Sequence, residues 1–339
     1  MASSAKTGSG AMRAFAIVAG IVVLLAAGLV AAWFYLAGEL DRRAEAALQA
    51  AAGRGVTVGC ANRSVFGFPF RLGLSCDAVT LHAPESAVNA SGGAVRTAAQ
   101  IYDPSRIVLE FDGPASVEAP DLPPFDVLWR LGRASAVFDG LTLDRLSIAV
   151  DAPLVALRQP ASDRLEVARS ERFEIHARRN AGDLDLAIRD EGLVVTPPGL
   201  ASLPPFDLYA EMAVAGAQDW LSQGLPGGRL DAALRGRDGH LRMLRLDLQG
   251  GGAAEISGPY AISQGGEISG DFALAVENPQ AIAGLVETLL PGSAGVASAL
   301  AGGLAFAGRQ ENGRTVVDIQ VREGRAQLGF IPLGRIPPI

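Results

Sequence analysis

No part of this sequence limits the fold as much as Ala14–Leu36, a run with no ionisable side chain apart from the phenol of Tyr35. A water-soluble core has little place for so long an apolar stretch. As a helix rising about 1.5 Å per residue it covers roughly 30 Å of hydrocarbon, so one membrane-spanning helix is the direct reading. Lys6 and Arg13 precede it, and Glu39, Asp41, Arg42 and Arg43 follow. With two cations on each side the positive-inside rule is nearly silent. Orientation rests instead on the short Ser/Gly/Lys leader, easily kept in the cytoplasm, and on Trp33-Phe34-Tyr35, which suits a membrane interface. A cleaved signal peptide is the competing reading, with small residues near Ala26, Ala27 and Ala31 as a processing site. Against it, the run exceeds the roughly 7–15 residues of a signal-peptide core. Moreover, Leu40, Ala44, Ala47, Leu48 and Ala51 continue at helical spacing until Gly53 and Gly55. The expected organisation is a cytoplasmic leader (1–13), a transmembrane helix (14–36), a helical stalk (37–54) and an exported β-rich domain (55–339). That makes it a single-pass inner-membrane protein with its bulk in the periplasm.

Past Gly55 the apolar period changes from helical to alternating. Ile107, Leu109 and Phe111 share one face, as do Phe173, Ile175 and Ala177, then Leu184, Leu186 and Ile188, then Leu208, Ala210, Met212 and Val214. Leu244, Leu246 and Leu248 follow, and Ile268, Gly270, Phe272, Leu274 and Val276 make the cleanest run. Each is a half-buried strand. The phase slips between Leu143 and Leu146, which predicts a β-bulge near Asp144-Arg145. Gly, Pro, Asp and Asn clusters supply the turns. The fold class is mainly β: a long, curved antiparallel meander, an open half-barrel or groove, with a few short helices near the C-terminus. Asn278-Pro279 starts one helix, continued by Ile282, Leu285, Val286 and Leu289, and a second runs from Ala294 to Ala301, together a lid or plug. Phe125–Leu131 and Gln218–Leu221 read as single helical turns. Leu122-Pro123-Pro124-Phe125-Asp126 recurs as Leu203-Pro204-Pro205-Phe206-Asp207, either a duplicated sheet unit or reuse of a Pro-Pro turn.

Charge and composition narrow the function. Setting aside Lys6 and Arg13 takes the formal charge from −7 to −9 over the exported part. Such a surface does not bind nucleic acid through clustered cations, nor is it drawn to anionic headgroups. Three His, two Cys and a single Lys leave few parts for nucleophilic or metal chemistry, and no Gly-Xaa-Ser-Xaa-Gly or His-Glu-Xaa-Xaa-His motif is present. His82, His176 and His240 read as solvated surface residues, and Asp183 with Asp185 as a solvated strand face. The expectation is a non-enzyme with no catalytic residue, cofactor or metal.

Cys60 and Cys76 are an even pair in a segment placed outside the cytoplasm, where disulfides persist. Parity and the turn-forming Gly67-Phe68-Pro69 between them favour a bond. Two buried free thiols, or a zinc site with His82, are the alternatives.

Gly67-Phe68-Pro69-Phe70-Arg71-Leu72, then Ile101-Tyr102-Asp103-Pro104-Ser105-Arg106-Ile107 running into Glu110-Phe111-Asp112-Gly113-Pro114, resembles the bacterial domain-of-unknown-function family numbered 2125. That resemblance carries no activity with it. More distantly, the C-terminal order of strands, Gly266–Gly270, a helix pair and Gly329-Phe330-Ile331-Pro332-Leu333 is similar to the AsmA-like envelope proteins. The likeness implies a β-groove linked to lipid transport or outer-membrane assembly, by architecture alone. The expected function is therefore binding of lipid or another apolar ligand in envelope maintenance, along a groove lined by Phe111, Leu143, Ile148, Leu186, Met212, Leu246, Phe272 and Leu274. Its partners are the membrane, lipid and envelope proteins, with no nucleic acid. The rival is a structural or interaction protein whose core is filled by its own side chains.

Overall fold

The computed structural model describes residues 8–120, 122–159, 164–196, 203–282 and 308–339, together with Gly284 and Gly302. The apolar run and the stalk form one unbroken helix, α1 (Gly8–Ala52), long and apolar enough to cross a membrane. It stops where Gly53 donates back to the Gln49 carbonyl and Gly55 adopts a positive φ of 80°.

The strands that follow are long and bent once each. β1 (Thr57–Ala61) passes Asn62-Arg63 into β2 (Ser64–Phe66), β3 (Arg71–Cys76) passes Asp77 into β4 (Ala78–Ala83), and β5 (Val88–Gly92) passes Gly93-Ala94 into β6 (Val95–Gln100). Bends recur at 112–114 between β7 (Asp103–Phe111) and β8 (Ala115–Ala119), and at Trp129-Arg130 between β9 (Leu122–Leu128) and β10 (Leu131–Asp139). Two more lie at Ala152-Pro153 between β11 (Thr142–Asp151) and β12 (Leu154–Arg158), and at Ser170-Glu171 between β13 (Arg164–Arg169) and β14 (Arg172–Asn180). β15 (Asp183–Val195) crosses the same line with a register shift between Asp190 and Leu193. Pairing runs straight through the bends: Val79↔Gly92 and Leu74↔Thr97 keep one register, as do Leu128↔Leu154 and Leu131↔Asp151. The bends therefore line up as a single crease across one up-and-down meander. Backbone bonds carry the ladder through it, from Asp112 N to Ala94 O, Ala152 N to Glu171 O and Glu171 N to Glu191 O, each 2.8 Å.

The meander continues as β16 (Phe206–Val214), the short helices α2 (Trp220–Gln223) and α3 (Leu230–Leu234), β17 (Asp238–Leu248), β18 (Ala253–Ile262) and β19 (Ile268–Glu277). β20 (Arg309–Glu311), β21 (Arg314–Arg322), β22 (Arg325–Leu328) and β23 (Ile331–Arg335) complete it. All pairs are antiparallel, β21 joins β19, and β20 and β22 share the far edge of β21. The sheet is open: among the described residues β1 and β2 do not pair with β23. α1 packs along β1, β2 and β3 instead, with Arg63 bridging Asp41 at 2.9 Å and Glu45 at 2.7 Å.

Val137↔Arg145 followed by Phe138↔Leu143 leaves Asp144 as the extra residue of the expected bulge. Two expectations need correction. Phe125–Leu128 is strand, not a helical turn, because Phe125 is paired on both sides, with Val117 and Leu157. Asp185 is not solvated: it is 5% exposed, held by Arg242 at 2.5 Å and Arg178 at 2.9 Å. Burial pushes its carboxyl up, but the hydrogen bonds from Arg242 and Arg178 outweigh that and hold it below the usual range. The helical turn near Gln218–Leu221 is present as α2. Residues 279–282 are helical as expected, while Leu285, Val286, Leu289 and the proposed second helix at 294–301 lie outside the described residues.

The buried core sits at the C-terminal end. Tyr260, Ile262, Phe272, Val276, Val317, Ile319, Val321 and Leu328 form one cluster, and Leu184, Val214, Ala217, Trp220 and Ala233 form another under α2 and α3. The same face of the earlier strands is only half-buried at Ile107, Leu109, Phe111, Ile148, Ile175 and Ile188. With α1 largely uncovered and this face half-buried, the chain exposes 20000 Å², against about 13,000 Å² for a compact monomer of its mass.

Candidate functional site

Alternation gives the sheet one aliphatic face and one charged face. The charged face is laced by arginine–carboxylate pairs, among them Arg96 with Asp112, Arg172 with Asp151 and Arg245 with Asp247 and Glu255. A hollow of 540 Å³ near Arg96, Glu110 and Arg133 and another of 370 Å³ near Arg145, Asp185 and Arg242 lie on it. Most of the charges there are matched by neighbours, so these hollows read as the relief of an ion-pair surface.

The aliphatic face is different where it folds at the crease. Phe111 ends β7 on this face, cross-strand from Gly132. A Cβ at Gly132 would lie 2.2 Å from a ring carbon, so the ring lies over bare backbone. Trp129, in the next bend, meets Phe111 edge-on with centroids 5.4 Å apart and donates from Nε1 to the Phe111 carbonyl at 3.0 Å. Such an aromatic contact adds about 0.5–1.5 kcal/mol beyond its buried area and fixes both rings. The pair separates two cavities in which it is the shared wall. One, of 340 Å³, runs toward Val79, Leu81 and Ala90, and the other, of 330 Å³, toward Val127, Val155 and Phe173. Both lie near the lower end of the roughly 300–1,000 Å³ typical of ligand pockets, and aliphatic side chains dominate their walls.

An acid stands in the wall of the second cavity, beside Arg169 and Ser170. Asp190 follows Leu184, Leu186 and Ile188 in the aliphatic register and stands opposite Phe173. Its Oδ1 has no hydrogen-bond partner. Burial pushes its carboxyl up, and the charge of Asp207 adds to this against a hydrogen bond from Ser170. A proton is held more tightly in the folded state than in the unfolded one. The stabilisation is thus fully present below the unfolded pKa and is lost as pH rises through the raised folded value. Asp190→Asn should therefore gain stability at pH 7, on the order of 1 kcal/mol for relief of a badly solvated carboxylate. The gain should shrink as pH falls to 4, read from urea midpoints of the two proteins. An equal difference at both pH values would reject the assignment.

All eight residues of the expected groove fall on the aliphatic face, but they do not form one site. Phe111 alone lines the crease cavities. Ile148 lies across from Ile175 further along the face, Leu143 stands opposite Phe138 near the hairpin end, and Leu186 packs beneath α2 and α3. Phe272 is buried in the C-terminal core, with Met212, Leu246 and Leu274 packed against it. Trp129 and Asp190 are additions. Trp129 sits in a bend without alternation, whereas Asp190 carries a legible signal, a lone acid in an aliphatic register. Cys60 and Cys76 are joined, with Cα atoms 5.1 Å apart, which removes the thiol and zinc alternatives. Among the described residues no group of three or more His, Cys, Asp or Glu is placed to hold a metal.

A family model described as "Uncharacterized protein conserved in bacteria (DUF2125)" matches residues 33–337. No curated protein and no solved structure matches the chain, so the distant likeness to AsmA-like proteins gains no support from them.

Proposed function

The chain belongs to the DUF2125 family, and on that footing we propose that it is a single-pass membrane protein whose exported sheet holds an acyl chain in its crease. The observation that carries this reading is the pair of aliphatic cavities sharing the Phe111–Trp129 wall on a face the N-terminal strands leave half-buried. Exposed apolar surface of that extent, beside a preformed hollow, favours a ligand over bare solvent. The length and hydropathy of α1 support an anchor. A disulfide supports an oxidising compartment, hence a periplasmic domain and a cytoplasmic N-terminus at the inner membrane. Envelope maintenance is the process such a protein would serve. Binding rather than catalysis fits a charged face whose ions are largely spent on one another.

The full chain in detergent should retain lipid detectable by mass spectrometry and should bind a nitroxide-labelled fatty acid that quenches Trp129 fluorescence. With Trp33 and Trp220 replaced by Phe, Trp129 is the sole reporter. Val155→Phe, which narrows the second cavity without adding a tryptophan, should weaken that quenching several-fold. A protein that emerges without lipid and leaves Trp129 unquenched would overturn the reading.

The rival, a sheet filled by its own side chains, describes the C-terminal strands well. It does not extend to the crease.

A further inference from the structure

Three hairpin tips at the same end of the meander carry large apolar side chains where polar turn residues are usual. Between β2 and β3 these are Phe68, 52% exposed, and Phe70, 59%; between β6 and β7, Tyr102, 73%; between β10 and β11, Leu141, fully exposed. The tips are neighbours along one rim, and the first two are joined by a bond from Ile101 N to Phe70 O at 3.1 Å. The opposite end turns at Pro84-Glu85-Ser86. Leu122 there, and Phe330 in the last hairpin, are exposed away from this rim.

The first tip is fixed to α1 at a known height. Trp33 Nε1 donates to the Arg71 carbonyl at 2.8 Å, and the Phe68 ring stands edge-on to Trp33 with centroids 5.5 Å apart. Trp33 lies six residues before Glu39, the first charge after the apolar run, so the contact is about 9 Å on the membrane side of that charge along the helix. If α1 spans a bilayer, the hairpin cannot stand clear of it.

We propose that the rim formed by Phe68, Phe70, Tyr102 and Leu141 is seated in the headgroup region of the bilayer leaflet from which α1 emerges. This rests on the reading of α1 as a spanning helix. Aromatic side chains are suited to that depth, since their rings bury while their polar edges stay wet. The attachment is apolar rather than electrostatic: acids at Asp103, Asp139 and Asp144 offset Arg71, Arg106 and Arg145 around the tips. The aliphatic face then begins at the membrane, and Leu72, Ile107 and Leu109 lead from the rim toward Phe111 in the crease. A lipid could pass from leaflet to crease without crossing open water.

Because both native cysteines are bonded, a single added cysteine is the only free thiol. Spin labels placed at Tyr102→Cys, Leu141→Cys, Ser86→Cys and Leu25→Cys in the full chain, reconstituted in nanodiscs, would report collision with oxygen and with a water-soluble nickel chelate. Labels at 102 and 141 should collide with the chelate several-fold less than the label at 86, in low and high salt alike. If 25 is shielded but 102 and 141 match 86, the rim proposal falls alone. If 25 is as accessible as 86, the spanning helix falls and the rim proposal with it.

Discussion

Replacing Phe272 by Ala should lower the stability of the full chain by about 3–5 kcal/mol, the range for truncating a buried aromatic ring. Phe272 is 8% exposed and belongs to the cluster of Tyr260, Ile262, Val317 and Ile319. Its ring is also clasped by two glycines. A Cβ at Gly270 would come within 2.6 Å of the ring, and one at Gly258 within 3.1 Å. The strand is paired on both sides, with β18 and β21, so its backbone cannot move into the space. Most of the cavity would therefore remain, and its cost adds to the lost transfer energy. Phe111→Ala, in the half-buried crease, should cost clearly less. Urea unfolding of the two variants in the same detergent makes the comparison, and equal losses would mean that the two halves of the sheet are equally closed.

Removing the disulfide with Cys60→Ala/Cys76→Ala should cost about 3 kcal/mol, the effect of freeing a loop of this length in the unfolded chain. The bond ties β1, at the free edge of the sheet, to the end of β3 across the crease. The edge strand otherwise depends on one neighbour, β4, and on the flank of α1. The loss should appear in the urea midpoint of the double variant and equally in the wild-type chain treated with reductant. A midpoint unchanged in both would show that pairing with β4 and α1 already holds the edge.

Much of the architecture is legible in the sequence because the governing signals are local. Continuous hydropathy marks α1, period-two alternation marks the strands, and a slipped phase marks the bulge at Asp144. The crease is less legible. It depends on bends at 77, 93–94, 112–114, 129–130, 152–153 and 170–171 falling in line across neighbours, and no single segment contains that alignment. The Pro-Pro segment at Pro123-Pro124 looks like a break, yet Phe125 to Leu128 is drawn into strand by β8 and β12 on either side. The candidate site divides in the same way. Alternation places Phe111, Ile148, Leu186 and Phe272 on one face, but it cannot say which of them other elements cover. Phe272 is buried and Phe111 only half-buried, because the later strands and α3 gather over only one end of the face.

The unbroken register through the crease bears on how such a chain assembles and how it could change in length. Counted as bent units, β1-β2, β3-β4 and so on, nearly every strand bonds to the unit before it and the unit after it in sequence, so pairing requires few distant encounters, and folding can advance hairpin by hairpin from any nucleus. Stability then accrues by nearest neighbours, as in a linear array, rather than all at once. Inserting or deleting one bent hairpin would lengthen or shorten the trough by two strand spacings, about 10 Å, and leave the rest of the molecule in place.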